Sequence, residues 1–430
     1  MNRVLMIAFH YPPALASGTQ RTLSFSRDLP GFGWEPLILT THALAHERID
    51  TAQLDEIPPD ILVQRALALD AARHLSIRGR YTRLTAWPDR WASWFPDAVL
   101  RGLYIILRHR PRLIWSTYPI PTALMIAHTL HRLTGLPWVA DLRDPLVTGH
   151  HPRDPGLKKT FANLERKTVL NCTRIVVSTP GLKRFLSTRY PEPPADKWVM
   201  LPNGFDEKIF RRMDRLRRPS SPNPGPLTLV HGGTLYTGNA ERNPGPLLNV
   251  VQQLRKQGVI GAPEENGPER IGLRILLRAT SHDDLINAMI RKRALSDMVA
   301  TAPPLPYLQA LEEMFLADGL LLFQGESFNH LIPAKLFEYL RANRPILALI
   351  GAQGDSAHIL RETGLHAMVP LEDEAAILPG FLDFLHQLRH GTAQLPDQNV
   401  VTGYSRRIQA KRLAATFDEL TGAAAPPRRP

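Results

Sequence analysis

Cysteine is nearly absent: Cys172 is the single one in 430 residues. One thiol can neither close an intrachain disulfide nor build a thiolate metal centre. That points to a reducing compartment and leaves Cys172 as a small apolar residue. Long hydrophobic runs are absent too. No stretch approaches the roughly 18 uninterrupted apolar residues of a membrane span. The opening MNRVLMIAFHYPP offers only Val4 to Phe9 before His10, too short for a signal-peptide core, and reads as a buried first strand. An Asp-x-Asp metal motif is missing from every plausible strand end. His150 and His151, followed directly by Pro152, lack ligand spacing, so no metal site is expected. Neither a Gly-x-Gly-x-x-Gly nor a Walker loop follows the first strand. Acidic residues are the minority, 40 Asp+Glu against 52 Lys+Arg, and the net charge of +12 asks for an anionic partner. A nucleotide diphosphate, a phospholipid surface and nucleic acid all qualify. The basic run 211–218 (RRMDRLRR) lacks the aromatic platform of a nucleic-acid binder, so no nucleic acid is expected.

The chain has 43% hydrophobic and 21% charged residues, enough apolar material for two cores. Short apolar runs alternate with segments of helical period. In the first half the runs lie at 4–9, 35–40, 112–117, 138–141, 174–179 and 198–201. In the second they lie at 227–233, 273–279, 319–323 and 345–350. Helices are expected at 119–133, 156–171, 244–256, 306–316 and 333–342. Runs that are continuously apolar are strands covered on both faces, so the fold class is α/β with two doubly wound Rossmann-like domains. The first spans 1–205 and the second 227–403. Residues 206–226, basic and then rich in Pro and Ser, read as a linker. Residues 404–420 have helical period and are expected to pack back toward the first domain, and 421–430 read as a disordered tail.

Ligands of such sheets lie beyond the carboxyl ends of the strands, which singles out four loops. In the first, 10–21, Gly18 lets a backbone approach an anion before a helix N-terminus, or simply makes the turn. In 138–151, Asp141, Arg143 and Asp144 place two carboxylates and a guanidinium at a strand end, as catalytic groups or as an ion pair stapling the loop. In 230–244, Gly232, Gly233 and Arg242 offer close backbone approach and a guanidinium, a grip for a diphosphate, with Asn243 and Pro244 opening the next helix. In 325–350, Pro333 starts a helix whose amides suit a phosphate. Glu338 is placed to accept two ribose hydroxyls, and Lys335 pairs either with the ligand or with Glu338.

Taken together, YPP with SGTQR, LTGLPWVADLRDP (133–145), LPNGFD (201–206), VHGGTLY with RNP, and IPAKLFEYLRANRP (332–345) resemble glycosyltransferase family 4 over residues 1 to about 420. The resemblance implies the GT-B fold, two Rossmann-like domains facing across a cleft. It implies transfer of a sugar from a nucleotide-diphosphate donor with retention. It places Gly18 at the donor diphosphate and acceptor, Arg242 at the pyrophosphate and Glu338 at the ribose. The chain departs from the family's Glu-x7-Glu pattern, because His330 stands where the first glutamate is common; donor-sugar contacts then fall to Asn329 or His330. Pro246, Leu247 and Leu248 occupy the stretch where a lysine often follows the arginine, so Arg242 is expected to act with Lys335. The expected partners are a nucleotide-diphosphate sugar, a glycan or lipid-linked acceptor, and an anionic membrane surface. No cofactor or metal is expected. A cytoplasmic enzyme of cell-surface polysaccharide or glycoconjugate synthesis, peripheral on the inner face of the membrane, fits these features. The segment 97–112 supports the membrane contact, with Val99, Leu100, Leu103, Ile106 and Leu107 beside Arg101, Arg108 and Arg110. A sugar-nucleotide epimerase on the same fold is the alternative, kept open by His330.

Overall fold

The computed structural model describes residues 1–422 except 17, 77–85, 149–151, 217–221 and 237–241. His150 and His151 therefore lie outside the described residues, as do part of the expected linker and nearly all of the expected tail. The chain forms two compact units, Met1–Asn203 together with the segment from Arg406 onward, and Gly204–Ser405.

In the first unit the strands are β1 (Asn2–Ile7), β2 (Trp34–Thr41), β3 (Leu62–Ala66), β4 (Leu113–Thr117), β5 (Trp138–Leu142), β6 (Arg174–Val177) and β7 (Trp198–Met200). They pair in the order β3-β2-β1-β4-β5-β6-β7, and β1 pairs parallel to both β2 and β4. Strand order reverses beside β1, so the loops after β1 and β4 open a crevice at their carboxyl ends. Two apolar layers cover the sheet. One holds Leu5, Ile7 and Trp138 with helices 94–109 and 121–134; the other holds Val4, Met6 and Trp115 with the helix Arg406–Thr421. That last helix is fastened to this unit: Trp34 Nε1 donates to Asp418 at 2.9 Å, and Phe417 packs edge-on against the Trp34 ring.

The second unit contains β8 (Leu227–Gly232), β9 (Ile260–Gly261), β10 (Ile271–Arg278), β11 (Val299–Ala302), β12 (Gly319–Gln324), β13 (Ile346–Ile350) and β14 (Met368–Val369). The order is β11-β10-β8-β12-β13-β14, with β9 beside β10, and the reversal falls between β8 and β12. The expected helices appear at Gly245–Lys256, Tyr307–Leu316 and Ala334–Ala342. The third ends where Asn343 adopts φ 58°, the left-handed conformation that closes helices.

The linker expectation fails over its first half. Residues Glu207–Met213 form a helix whose Ile209, Phe210 and Met213 are buried. Arg341 locks it by bonding Glu207 (2.8 and 3.0 Å) and Asp214 (both 2.9 Å). The basic side chains masked the apolar i, i+1, i+4 spacing that makes this an amphipathic helix.

Candidate functional site

The sequence places a histidine, His231, near the end of the largely apolar strand LTLVHG, and the chemistry of the second unit is assembled around that end. Gly233, at φ 116°, turns the chain as β8 ends. Its N–H donates to Arg278 O (2.8 Å), and the N–H of Gly232 donates to the Tyr339 hydroxyl (3.0 Å). The two glycine amides expected to face a phosphate are thus committed within the protein. What Gly233 supplies is room: a Cβ there would stand 2.6 Å from Lys335 Nζ, so the bare backbone lets the ammonium settle against the loop.

Lys335, Glu338 and Tyr339 share one face of the helix Ala334–Ala342, at i, i+3 and i+4. Together with Gly233, Arg278 and Tyr307 they line a cavity of about 190 Å³. Its far wall is Pro304, Leu305 and the start of the helix Tyr307–Leu316. The Tyr307 hydroxyl donates to Glu338 Oε1 at 2.9 Å. Arg278 is held by Glu313, with Nε to Oε1 at 2.6 Å, and so lends the cavity no net charge. Ala279, also in the wall, sits at φ 57°, local strain of the kind that clusters at binding sites.

Burial, and then the charge of Arg242, pushes the Lys335 ammonium down to about 7, with Glu338 pulling the other way. Arg242 stacks its guanidinium 5.2 Å from the centre of the Phe328 ring. Each of these charges disfavours the other, a cost that an anionic ligand relieves. Asn243 Oδ1 accepts from the Gly245 N–H (2.9 Å) and Pro244 is the cap, so the next helix begins one residue later than expected. Asn329 follows Phe328 directly in the chain. Its side chain packs on Gly351 and Gly354, where any Cβ would come within 2.9 and 2.7 Å of it, and its carbonyl accepts from the Asp355 N–H. His330 is partly exposed at the start of the same loop's final turn.

In the first unit, Asp141 is the penultimate residue of β5 and has no solvent exposure. Arg21 clamps it through Nε (2.8 Å) and Nη2 (3.0 Å) and spends its other bonds on Leu201 O and Pro202 O; Thr117 Oγ1 adds a third donor at 3.1 Å. This bidentate pair joins the first helix to β5 and to the end of β7, a positioning arrangement rather than a carboxylate presented to substrate. Arg143 faces differently. Its Nε donates to Tyr118 O (2.8 Å), and its Nη2 would be 3.1 Å from a Cβ on Gly18, as His10 Cδ2 would be at 3.0 Å. Gly18, Arg143 and His10 therefore meet at the carboxyl ends of β1 and β5, and Asp144 is exposed beside them. Burial, the neighbouring His46 and Arg143 lower the His10 imidazole to about 3. Burial, Arg65 and Arg73 lower His46 to about 4, so both rings are neutral. Among the described residues no group of three or more His, Cys, Asp or Glu is placed to hold a metal ion.

Residues 18–204 match the family described as the glycosyl transferase 4-like domain. The chain carries a glycosyl transferase 4-like domain. Its GT-B fold is shared, at low identity, with solved structures along nearly its whole length. Sucrose-phosphate synthase from Thermosynechococcus elongatus is 14% identical, with a TM-score of 0.66 over 99% of this chain and 100% of that one. Anabaena HepE in complex with UDP and glucose is 11% identical, with a TM-score of 0.63 over 97% and 100%. UDP-GlcNAc 2-epimerase from Neisseria meningitidis bound to UDP-GlcNAc is 11% identical, with a TM-score of 0.54 over 98% and 100%. No functionally curated protein matches the sequence.

Around these sites the sequence reading missed His231, Tyr307 and Tyr339 in the second unit and His10, His46 and Arg21 in the first. Two carried a local signal. A histidine inside a buried strand needs partners, and Tyr339 lies one helical turn from Lys335. Tyr307 had none, because the start of its helix meets Glu338 only through the fold.

Proposed function

We propose that the second unit binds a nucleotide-diphosphate sugar and that the enzyme transfers the sugar, with retention, to a glycan or lipid-linked acceptor bound at the strand ends of the first unit. The carrying observation is the cavity lined by Lys335, Glu338 and Tyr307, with the charge of Arg242 acting on the Lys335 ammonium. The cavity takes the nucleoside, Glu338 accepts the ribose hydroxyls, and the two cations take the diphosphate. As the sugar-to-phosphate bond breaks through an oxocarbenium-like state, negative charge grows on the departing diphosphate. Lys335, Arg242 and the first-turn amides of the helix Ala334–Ala342 stabilise it. Uridine is the nucleoside this reading favours, supported by the UDP in HepE and the epimerase. A donor panel scored by release of free nucleoside diphosphate tests the reading, and UDP release in the presence of a chelator is the expected result, since protein cations meet the charge. Activity abolished by EDTA and restored by Mg²⁺ would refute the metal-independent mechanism. An epimerised sugar still esterified to UDP would point to the epimerase instead.

The acceptor is proposed to lie on an anionic membrane at the cytoplasmic face, as in cell-surface polysaccharide synthesis. No described helix is long and apolar enough to cross a membrane. The helix Trp94–His109, however, turns Leu100, Tyr104 and Leu107 outward with 68, 60 and 78% of their surfaces exposed. Val99, Leu103 and Ile106, expected on that outer face, pack on the core instead. Arg108 and Arg110 flank the exposed row, while Arg101 is paired with Asp97. Vesicles containing anionic lipid are expected to bind the protein more tightly than neutral ones and to release it as salt rises, because each basic residue near such a surface contributes about 1 kcal/mol that salt screens. Equal co-sedimentation of wild type and a Leu100→Glu/Leu107→Glu variant would remove this contact.

A further inference from the structure

We propose that His231 is a positioning residue of the donor site: it holds the Lys335 ammonium against Gly233 through a neutral ring nitrogen, which fixes the cation without cancelling its charge toward the diphosphate. The inference rests on the reading of this site as the diphosphate pocket.

His231 has no solvent exposure. Its ring stands edge-on to Phe323, centroids 4.9 Å apart, and this contact fixes its plane. Nδ1 lies 2.8 Å from Leu321 O; Nε2 lies 3.2 Å from Gly233 O and 3.4 Å from Lys335 Nζ. Both carbonyls are acceptors only, and a neutral imidazole has one N–H. The doubly protonated ring, which could serve both, is opposed by burial first and then by Lys335 and Arg242, so the imidazole stays neutral. The shorter contact assigns the hydrogen to Nδ1 and leaves a lone pair on Nε2. The ammonium is the donor beside that lone pair.

The choice of partner matters electrostatically. A carboxylate at position 231 would fix Lys335 equally well and neutralise it. Around the ammonium stand Arg242, Glu338 and Tyr339, with the Arg278–Glu313 pair across the cavity. Glu338 already offsets part of the charge, and a second carboxylate would leave the pocket with little attraction for an anion. The arrangement is also coupled to protons. Lys335 titrates near 7 in the free protein, and a bound diphosphate favours its charged form and raises that value. Below about pH 7 the lysine is already charged and binding takes up no proton. As pH rises through 7 the free lysine loses its proton, binding must bring one in, and affinity falls by up to tenfold per unit.

UDP titrated into the full chain by calorimetry, in buffers of differing ionisation enthalpy from about pH 6 to about pH 9, tests this. Wild type is expected to show proton uptake that begins near neutrality, with affinity falling over the same range. His231→Gln keeps an acceptor and should stay within a few-fold of wild type with the same profile. His231→Leu should lose tenfold or more in affinity. His231→Asp should move the fall in affinity to higher pH while binding more weakly at pH 6. Circular dichroism checks that each variant is folded. A folded His231→Leu with wild-type affinity and profile, or wild-type binding without proton uptake, overturns the assignment to His231 while leaving the donor site standing. If wild type binds no nucleoside diphosphate at all, the donor-site reading falls and this inference with it.

Discussion

Replacing Glu338 by alanine is expected to lower donor-nucleotide affinity by about ten- to more than a hundredfold while leaving the second unit folded. The carboxylate stands at the wall of the 190 Å³ cavity and is only partly buried, so its removal opens no core void. What is lost is charge-assisted hydrogen bonding to two ribose hydroxyls, worth roughly 1.5 to 3 kcal/mol. The Tyr307 hydroxyl already orients one oxygen, so the carboxylate enters binding with part of its rotamer freedom spent. Glu338→Gln keeps the shape and should lose less than alanine. Tyr307→Phe should lose less still, since it removes only the orienting donor. If Glu338 instead served a surface pair with Lys335, worth a few tenths of a kcal/mol, all three variants would bind within about twofold of wild type. Calorimetric titration with UDP separates the two outcomes.

The sequence spoke most clearly where burial on both faces of a sheet left unbroken apolar runs, as in β1, β4, β12 and β13. It was silent at the margins. Strands β3 and β11 lie at sheet edges and carry Gln64, Arg65 and Thr301 among their residues, so their pattern fades into that of loops. The helix Glu207–Met213 was hidden by its charges until Arg341, more than a hundred residues later, was seen to pair with them.

The candidate site shows the same division. That glycines follow β8 is plain in the sequence; that their amides are taken by Tyr339 and Arg278, so that the glycines act by leaving space, depends on groups about 107 and 45 residues away. Strand ends can be read from pattern, and that located Asp141 and Arg143. How each is used is decided by distant partners: Arg21 encloses the first, while the second bonds Tyr118 O and approaches Gly18. Local spacing places a residue at an edge, and only tertiary packing gives its side chain a direction.

That distinction makes the Arg21–Asp141 pair the place of largest expected stability effect. Asp141 is fully enclosed and its counter-ion is nearly so, with side chains 0 and 7% exposed. Arg21→Met leaves a buried carboxylate with Thr117 as its remaining side-chain donor, and breaking such a pair from one side costs about 3 to 5 kcal/mol. Asp141→Asn should also destabilise, because Arg21 keeps Leu201 O and Pro202 O but loses the charge it was folded against. Removing both partners, as Arg21→Met/Asp141→Leu, should recover much of the loss, since neither charge is then stranded. The measurement can be confined to the right unit. All seven tryptophans, from Trp34 to Trp198, lie within residues 1–203, so their emission during urea unfolding reports the first unit alone even if the two units unfold separately. A positioning role predicts a shifted midpoint in both single variants, with activity lost in proportion to unfolding. If Asp141 touched the acceptor instead, Asp141→Asn would keep the wild-type midpoint and lose turnover, and the double variant would be no more stable than Arg21→Met.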